Sequence, residues 1–158
     1  MSQVTPQQID NNGCLIRAAQ AGEAAAIKAL VYSERLNPTG LDWRRFLVAV
    51  DEKGNVFACG QIKPHRDGSL ELASLVVSPE RRGTGLARRL IEALVAISDS
   101  DLYLTCRVSL GGFYEHFGFQ AIGQEEMPGY FRFVSRIFHF LQRLTRTEGL
   151  LVMRRRRD

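Results

Sequence analysis

The chain has 158 residues with a formal net charge of +4, and 45% of its residues are hydrophobic and 24% charged. This length suits one domain with a full hydrophobic core, and the composition excludes an intrinsically disordered chain. No apolar run approaches the roughly 18 residues that a membrane span needs, and the polar start (MSQVTPQQIDNNG) does not resemble a signal peptide, so we expect a single cytoplasmic domain over residues 1–158.

The excess positive charge is confined to the C-terminal segment. Residues 1–126 contain 13 Lys and Arg against 15 Asp and Glu, whereas residues 127–158 contain 8 Arg against 2 acids. A nucleic-acid-binding protein more often spreads its basic residues over a whole face, so no nucleic acid partner is expected. The cysteines, Cys14, Cys59 and Cys106, include no CxxC pair, which predicts three small buried strand residues and no metal site.

The first half of the chain alternates strand-like and helix-like segments. After a predicted strand at 13–19, Gly22 and Glu23 open a segment with apolar residues at helical spacing. Three strands separated by short glycine-containing turns are then predicted at 45–50, 56–64 and 69–77. Strands joined by such short turns are typical of an antiparallel meander.

The second half adds helices to this sheet. An amphipathic helix is predicted to begin at Gly85, followed by a strand at 101–107. A short helix within 111–119 is predicted to stop at Gly118, and strands follow at 119–123 and 150–154. The pattern predicts one α/β domain with a mixed sheet.

The segment between the last two strands, 130–146, is predicted to be an amphipathic basic helix. One face carries Tyr130, Phe133, Val134, Ile137, Phe140, Leu141 and Leu144, with Phe131 and Phe138 at its border. A stripe opposite carries Arg132, Arg136, His139, Arg143 and Arg146. Three interpretations of the apolar face stay open: it packs on the protein's own sheet or on a partner subunit, as in a homodimer; it forms a lid over a bound substrate; or it lies on an anionic membrane surface. The basic tail, 154–158, is interpreted as solvated.

The stretch SPERRGTGLARRL, 78–90, joins a predicted strand to a predicted helix through two glycines. Small residues let the backbone approach an anion, and the free N–H groups at a helix start point towards it. The triphosphate-binding pattern GxxxxGK[ST] is absent, and the dinucleotide pattern GxGxxG fails because residue 88 is arginine. Taken alone, the stretch is equally consistent with an ordinary tight helix entry.

Two motifs together resemble those of the GNAT family of N-acetyltransferases. RGTGLA, 82–87, fits the family pattern [QR]xxGx[GA] after VVSPE, and FYEHFGF, 113–119, resembles the second family motif. The resemblance covers about residues 13–124 and the final strand. It implies the acyl-CoA N-acyltransferase fold, a mostly antiparallel sheet of six or seven strands with helices on both faces, and acetyl-CoA as co-substrate without a metal.

The resemblance also implies where acetyl-CoA binds. Backbone amides of residues 82–87 would hold its pyrophosphate, and the end of the preceding strand would pair with its pantetheine arm. The residues implied to contact it are Leu75, Val76, Val77, Arg81, Arg82, Gly83, Thr84, Gly85, Leu86, Ala87, Arg88 and Tyr114. Arg88, like the neighbouring Arg89, is equally consistent with a solvated helix face.

Two residues are implied to move protons. An alkyl amine has a pKa of about 10.4, so a base must accept its proton at neutral pH. Glu71, which lies where many family members carry a glutamate, is the implied base, and the alternative is a surface carboxylate paired with an arginine. Tyr114 is the implied acid for the departing thiolate, and the alternative is a core tyrosine. His65 and His116 are interpreted as turn and helix-surface residues.

Two positions depart from the family pattern. Arg107 and Leu110 stand where the family often has asparagine and alanine, so side-chain contacts to the coenzyme are not implied there. Arg107 or Ser109 would have to replace the asparagine.

We therefore expect an N-acetyltransferase that moves an acetyl group from acetyl-CoA to a primary amine of a small molecule or peptide, by direct attack in a ternary complex. Glu125 and Glu126 would attract a cationic amine. Two other hypotheses stay open: a non-catalytic acyl-CoA-binding sensor of the same fold, and a basic-tail module that binds membranes or nucleic acid.

Overall fold

The computed structural model describes residues 13–157. Its strands are β1 (Leu15–Ala18), β2 (Phe46–Val50), β3 (Val56–Pro64), β4 (Leu70–Val77), β5 (Leu102–Arg107), β6 (Gln120–Ala121) and β7 (Leu150–Arg155). Its helices are α1 (Ala24–Ser33), α2 (Leu86–Ile97), α3 (Gly111–Glu115) and α4 (Gly129–Gln142). The strands form a mixed seven-stranded sheet in the order β1-β2-β3-β4-β5-β7-β6, which confirms the predicted fold class. Two compact units are present: residues 13–62 with 74–94, and residues 63–73 with 95–157.

The core of the first unit is built on β2, whose five residues are all buried. β2 pairs antiparallel with β1, Val50 opposite Leu15, and with β3, Phe46 opposite Gln61. A short continuous apolar run such as FLVAV is what a strand covered on both sides requires. α1 adds Ile27 and Val31 to the same core cluster; they are four residues apart and so lie on one helix face.

α2 begins directly after the glycine-rich loop and packs closely in the first unit. Its buried residues are Leu86, Leu90, Ile91 and Leu94. A Cβ added to Gly60 on β3 would stand 2.9 Å from Cδ1 of Leu94 and 3.2 Å from Cδ1 of Leu75. The absence of a side chain at Gly60 therefore lets α2 and β4 approach β3.

The second unit is organised around β5 and β7. β5 runs parallel to β4 through the pairs Leu70–Leu102 and Glu71–Tyr103, and antiparallel to β7 over its whole length. β7 also pairs with the short β6. A core cluster of Met127, Phe131 and Val152 joins the start of α4 to β7.

α4 packs through the border of the predicted apolar face and through Tyr130, and much of that face stays exposed. It buries Phe131 and Ser135, whereas Phe133 and Phe140 are 63% and 66% exposed. α4 also ends at Gln142, four residues before the predicted end. The backbone N–H and the hydroxyl of Thr145 both donate to the carbonyl oxygen of Leu141, at 3.1 Å each, and so close the last turn.

Smaller differences concern the ends of the elements. α3 ends at Glu115, three residues before Gly118, where the helix is predicted to stop. Gly118, with φ of +84°, turns the chain towards the two-residue β6. All three cysteines are free and buried, and Cys14 immediately precedes β1 rather than lying in it. Within residues 13–157, no helix is long and apolar enough to cross a membrane.

Candidate functional site

The glycine-rich loop of the first unit is open on its outer side. Gly83 and Gly85 have φ values of +76° and +78°, a left-handed backbone that favours glycine. A Cβ added to either residue would meet no other atom within 4 Å. The loop leads into α2, whose first-turn amides have no partner within the helix. This combination of accessible backbone and free amides fits a phosphate-bearing ligand.

Two arginines of this loop are already engaged. The Nη2 atom of Arg82 donates to Oε1 of Glu34 at 2.6 Å, and its Nε donates to the carbonyl oxygen of Val77 at 3.2 Å. The guanidinium of Arg81 lies over the ring of Phe57, 4.1 Å from its centroid. A phosphate that binds Arg82 would therefore share its guanidinium with Glu34 or displace Glu34 from it.

β4 contains a local break at Ser74, which adopts a left-handed backbone with φ of +55°. Such a conformation costs a non-glycine residue roughly 1–3 kcal/mol. The hydroxyl of Ser74 accepts a hydrogen bond from Nε2 of the fully buried Gln61 at 3.0 Å. The ladder with β5 ends at Glu71, before this break, and residues 75–77 follow it.

Glu71 lies in a buried pair with a histidine. Its Oε2 atom is 2.7 Å from Nε2 of His65, and the two side chains are 11% and 8% exposed. Burial raises the pKa of Glu71, and the hydrogen bond from His65 opposes this effect. A carboxylate with a raised pKa is suited to accept a proton near neutral pH.

The imidazole of His65 is itself enclosed by the start of α4. The ring of Tyr130 stacks on it, with centroids 3.5 Å apart and an interplanar angle of 15°, and Phe131 meets its edge at 5.7 Å. The backbone N–H of Tyr130 donates to Oδ2 of Asp67 at 2.8 Å. Burial works against ionisation of Asp67, but hydrogen bonds from Ser69 and Tyr130 hold its pKa below the usual value.

Tyr114 lies on α3 among aromatic rings, 5.1 Å from the ring of Phe113 and 6.2 Å from that of Phe119. Burial, with a smaller contribution from Cys106, raises its pKa to about 12. Gly111 starts the same helix, and a Cβ there would stand 2.9 Å from Cδ1 of Leu151. α3 therefore lies tightly against β7, which fixes the position of Tyr114.

The structure adds a residue that sequence reasoning missed. His65 lies in a turn, as predicted, but its side chain is buried against Glu71. The sequence feature that could have predicted this contact is the hairpin, since a five-residue turn that ends at Ser69 brings residues near 65 and 71 together.

His116 donates a hydrogen bond to the carbonyl oxygen of Gly112 at an exposed site, in keeping with its predicted helix-surface position. Glu126 is one of the two acids predicted to attract an amine. Its Oε1 atom lies 3.0 Å from Nη2 of Arg154, with which it forms an ion pair.

Comparison with known proteins gives one family match. A family model described as an acetyltransferase (GNAT) domain matches residues 42–121, half of the chain. A search of curated proteins gave no significant match.

Solved structures resemble the chain as a whole. The match to N-acetylglutamate synthase from Neisseria gonorrhoeae, complexed with coenzyme A and N-acetyl-glutamate, has a TM-score of 0.65 and 22% identity and covers 90% of this chain and 35% of that one. Rv2747 from Mycobacterium tuberculosis, in complex with CoA, matches with a TM-score of 0.69 and 19% identity over 90% and 99% of the two chains. The NatC complex bound to Gag peptide and CoA matches with a TM-score of 0.65 and 16% identity over 92% and 99%. These identities show a shared fold, and the chain spans about a third of the Neisseria synthase.

Proposed function

Because the chain belongs to the GNAT acetyltransferase family, we propose that it transfers the acetyl group of acetyl-CoA to a primary amine by direct attack in a ternary complex. The observation that carries this proposal is the loop before α2, where two left-handed glycines expose the backbone at a helix start. A pyrophosphate is the ligand chemistry that such a loop accepts.

We assign the donor contacts to the loop before α2 and to the end of β4. The amides of residues 82–87 hold the pyrophosphate, and Arg81, Arg82 and Arg88 neutralise the phosphates. Residues 75–77 lie beyond the end of the ladder with β5, so their backbone is suited to pair with an extended ligand such as the pantetheine arm. Backbone amides near Val77 would donate to the thioester oxygen.

We assign the proton transfers to Glu71 and Tyr114. Glu71 accepts a proton from the acceptor ammonium, since its raised pKa brings the carboxylate nearer to neutral pH. The amine nitrogen then bonds to the acetyl carbon while the carbon–sulfur bond breaks. Tyr114 donates its hydroxyl proton to the departing sulfur and regains one from the nitrogen, so the net products are the amide, free coenzyme A and one proton.

The high pKa of Tyr114 sets a limit on this role. At about 12, it keeps the hydroxyl protonated throughout the physiological range. Transfer of its proton to a thiolate of pKa about 8.5 is uphill by roughly 3.5 units, about 5 kcal/mol. The proton is therefore assigned to move as the carbon–sulfur bond breaks, when negative charge develops on the sulfur.

The acceptor class is tested by incubating the full chain with acetyl-CoA and a panel of amines, read by mass spectrometry. The panel runs from amino acids such as glutamate to peptide N-termini, because the neighbouring structures were solved with N-acetyl-glutamate or a peptide. We expect one class to be acetylated, and Glu71→Gln to remove the acidic limb of its pH–rate profile. Tight coenzyme A binding without acetylation of any amine would favour a non-catalytic sensor. The cytoplasmic location stays a prediction from the sequence.

A further inference from the structure

The side chain of Glu71, the base of the proposed acetyl transfer, is held by His65. We propose that His65 is the positioning residue of Glu71: its Nε2–H donates to Oε2 and leaves Oε1 as the carboxylate atom that meets the acceptor amine. Nε2 of His65 and Oε2 of Glu71 are 2.7 Å apart, and both side chains are largely buried. Because an ionised carboxylate only accepts hydrogen bonds, this contact requires a proton on Nε2.

The surroundings prevent the imidazole from turning away. Tyr130 stacks on one of its faces at 3.5 Å, and Phe131 closes its edge. Asp67, in the same turn as His65, binds the backbone of Tyr130 and thereby ties the turn to α4. Rotation of His65 would need this turn and the start of α4 to separate.

Charged and titratable groups face the pair from each neighbouring element. Lys63 on β3 favours the ionised form of Glu71, and the ring of Tyr130 on α4 is close enough that Glu71 helps to raise the tyrosine pKa. Asp67 faces His65 from the turn, and Tyr103 on β5 stands opposite Glu71 in the ladder. Without the imidazole, the hydrogen bond that opposes the effect of burial is lost, and Glu71 would hold its proton at higher pH.

The experiment compares His65→Ala, His65→Gln and Tyr130→Phe in the full chain. We expect His65→Ala to move the acidic limb of kcat/KM upward by about one pH unit without changing the affinity for coenzyme A. His65→Gln, whose amide also donates, should restore much of the profile, and Tyr130→Phe should keep the stack and the profile. An unshifted limb in His65→Ala, or failure of His65→Gln to rescue a shifted one, would overturn the inference.

A second readout does not depend on turnover. Carboxyl ¹³C signals of glutamate-labelled protein, with Glu71→Gln for assignment, report the titration of Glu71 in the free protein. A titration midpoint that rises in His65→Ala supports the positioning role even if no amine is acetylated, in which case only the proposed function fails. A midpoint that does not move refutes the positioning role even in an active enzyme.

α4 and its last turn carry an exposed apolar stripe, which we define as Phe133, Ile137, Phe140, Leu141 and Leu144. The five side chains are between 45% and 72% exposed. Their spacing places them along one side of the helix and its last turn. Monomeric proteins rarely expose apolar patches of this kind without a partner.

The border of this stripe is cationic. Residues 127–147 contain four arginines and neither Asp nor Glu. Arg136 and Arg143 are exposed, and by helical geometry they lie beside Phe133 and Phe140. Two copies of α4 packed antiparallel about a two-fold axis would place these arginines on the same side, where they repel.

We infer that the stripe docks on a bilayer surface that contains anionic lipids. The apolar side chains enter the boundary between headgroups and acyl chains, and the arginines meet lipid phosphates. α4 has 14 residues, about 21 Å, which is shorter than the roughly 30 Å of a hydrocarbon core. The helix therefore lies along the surface.

Sedimentation with vesicles of phosphatidylcholine, alone or with phosphatidylglycerol, tests this docking. We expect binding to the anionic vesicles only, lost in Phe133→Ser/Phe140→Ser and kept in the control Tyr32→Ser/Ile97→Ser, whose side chains are 58% and 59% exposed in the native chain. Arg136→Gln/Arg143→Gln should weaken binding about 30-fold, from roughly 1 kcal/mol per arginine near the surface.

Two outcomes would overturn the docking proposal. Equal binding to neutral vesicles would remove the role of the arginines. Absence of vesicle binding, with a dimer in light scattering that becomes a monomer in Phe133→Ser/Phe140→Ser, would instead make the stripe an interface between two copies of the chain.

Discussion

The ion pair between Arg82 and Glu34 competes with the proposed coenzyme phosphate for one guanidinium. The pair joins residues 48 positions apart, with Nη2 and Oε1 at 2.6 Å. The side chains of Arg82 and Glu34 are 52% and 34% exposed. Glu34→Gln removes the charge that holds the guanidinium and preserves the size of the side chain. The affinity for coenzyme A should therefore rise.

The magnitude follows from the exposure of the pair. Ion pairs that solvent and salt can screen contribute about 0.2–1 kcal/mol, which corresponds to a factor of about 1.4–5 in the dissociation constant. Glu34→Gln should thus tighten coenzyme A binding by up to about fivefold, with the larger gain at low ionic strength. Arg82→Gln removes a charged phosphate contact worth about 1.5–3 kcal/mol, so it should weaken binding at least about tenfold.

Isothermal titration with coenzyme A at two salt concentrations measures both effects. Glu92→Gln on α2, an exposed acid of the same unit, controls for the general loss of negative charge. Weaker binding by Glu34→Gln would show that Glu34 orients Arg82 rather than competing for it. Wild-type affinity in Arg82→Gln would remove this arginine from the coenzyme site.

Three further substitutions test separate parts of the structure. Tyr114→Phe should lower kcat about 10²–10⁴-fold without changing coenzyme A affinity, and unchanged turnover would exclude the tyrosine as the acid. Phe131→Ala, at a fully buried position, should lower the free energy of unfolding by about 3–5 kcal/mol in urea titrations; a loss as small as that of the exposed control Phe133→Ala would contradict the packing of α4. Gly85→Ala should lower the free energy of unfolding by about 1–2 kcal/mol because of the positive φ. It should also weaken coenzyme A binding in isothermal titration, whereas intact affinity would argue against the loop as the pyrophosphate site.

The sequence predicted the strand position of Glu71 but not the partner of its side chain. Strand periodicity placed it near the start of β4, as the structure does. Its partner was not predicted, because His65 lies in a turn and turn residues are usually exposed. Only the way the hairpin folds brings the two side chains together, and α4, more than 60 residues later in the chain, then covers the imidazole.

The secondary structure elements of the chain and its glycine-rich loop were determined by the sequence itself. The order of strands and helices and the glycine-rich entry to α2 follow from spacing and from backbone preferences that act over a few residues. The rotation of α4 about its axis was decided only by tertiary structure. Periodicity defines an apolar face, but packing selects which edge is buried, and here Phe131 and Ser135 were selected. The pairs His65–Glu71 and Arg82–Glu34 were decided in the same way, because hydrogen bonds between such side chains depend on where the folded backbone places them.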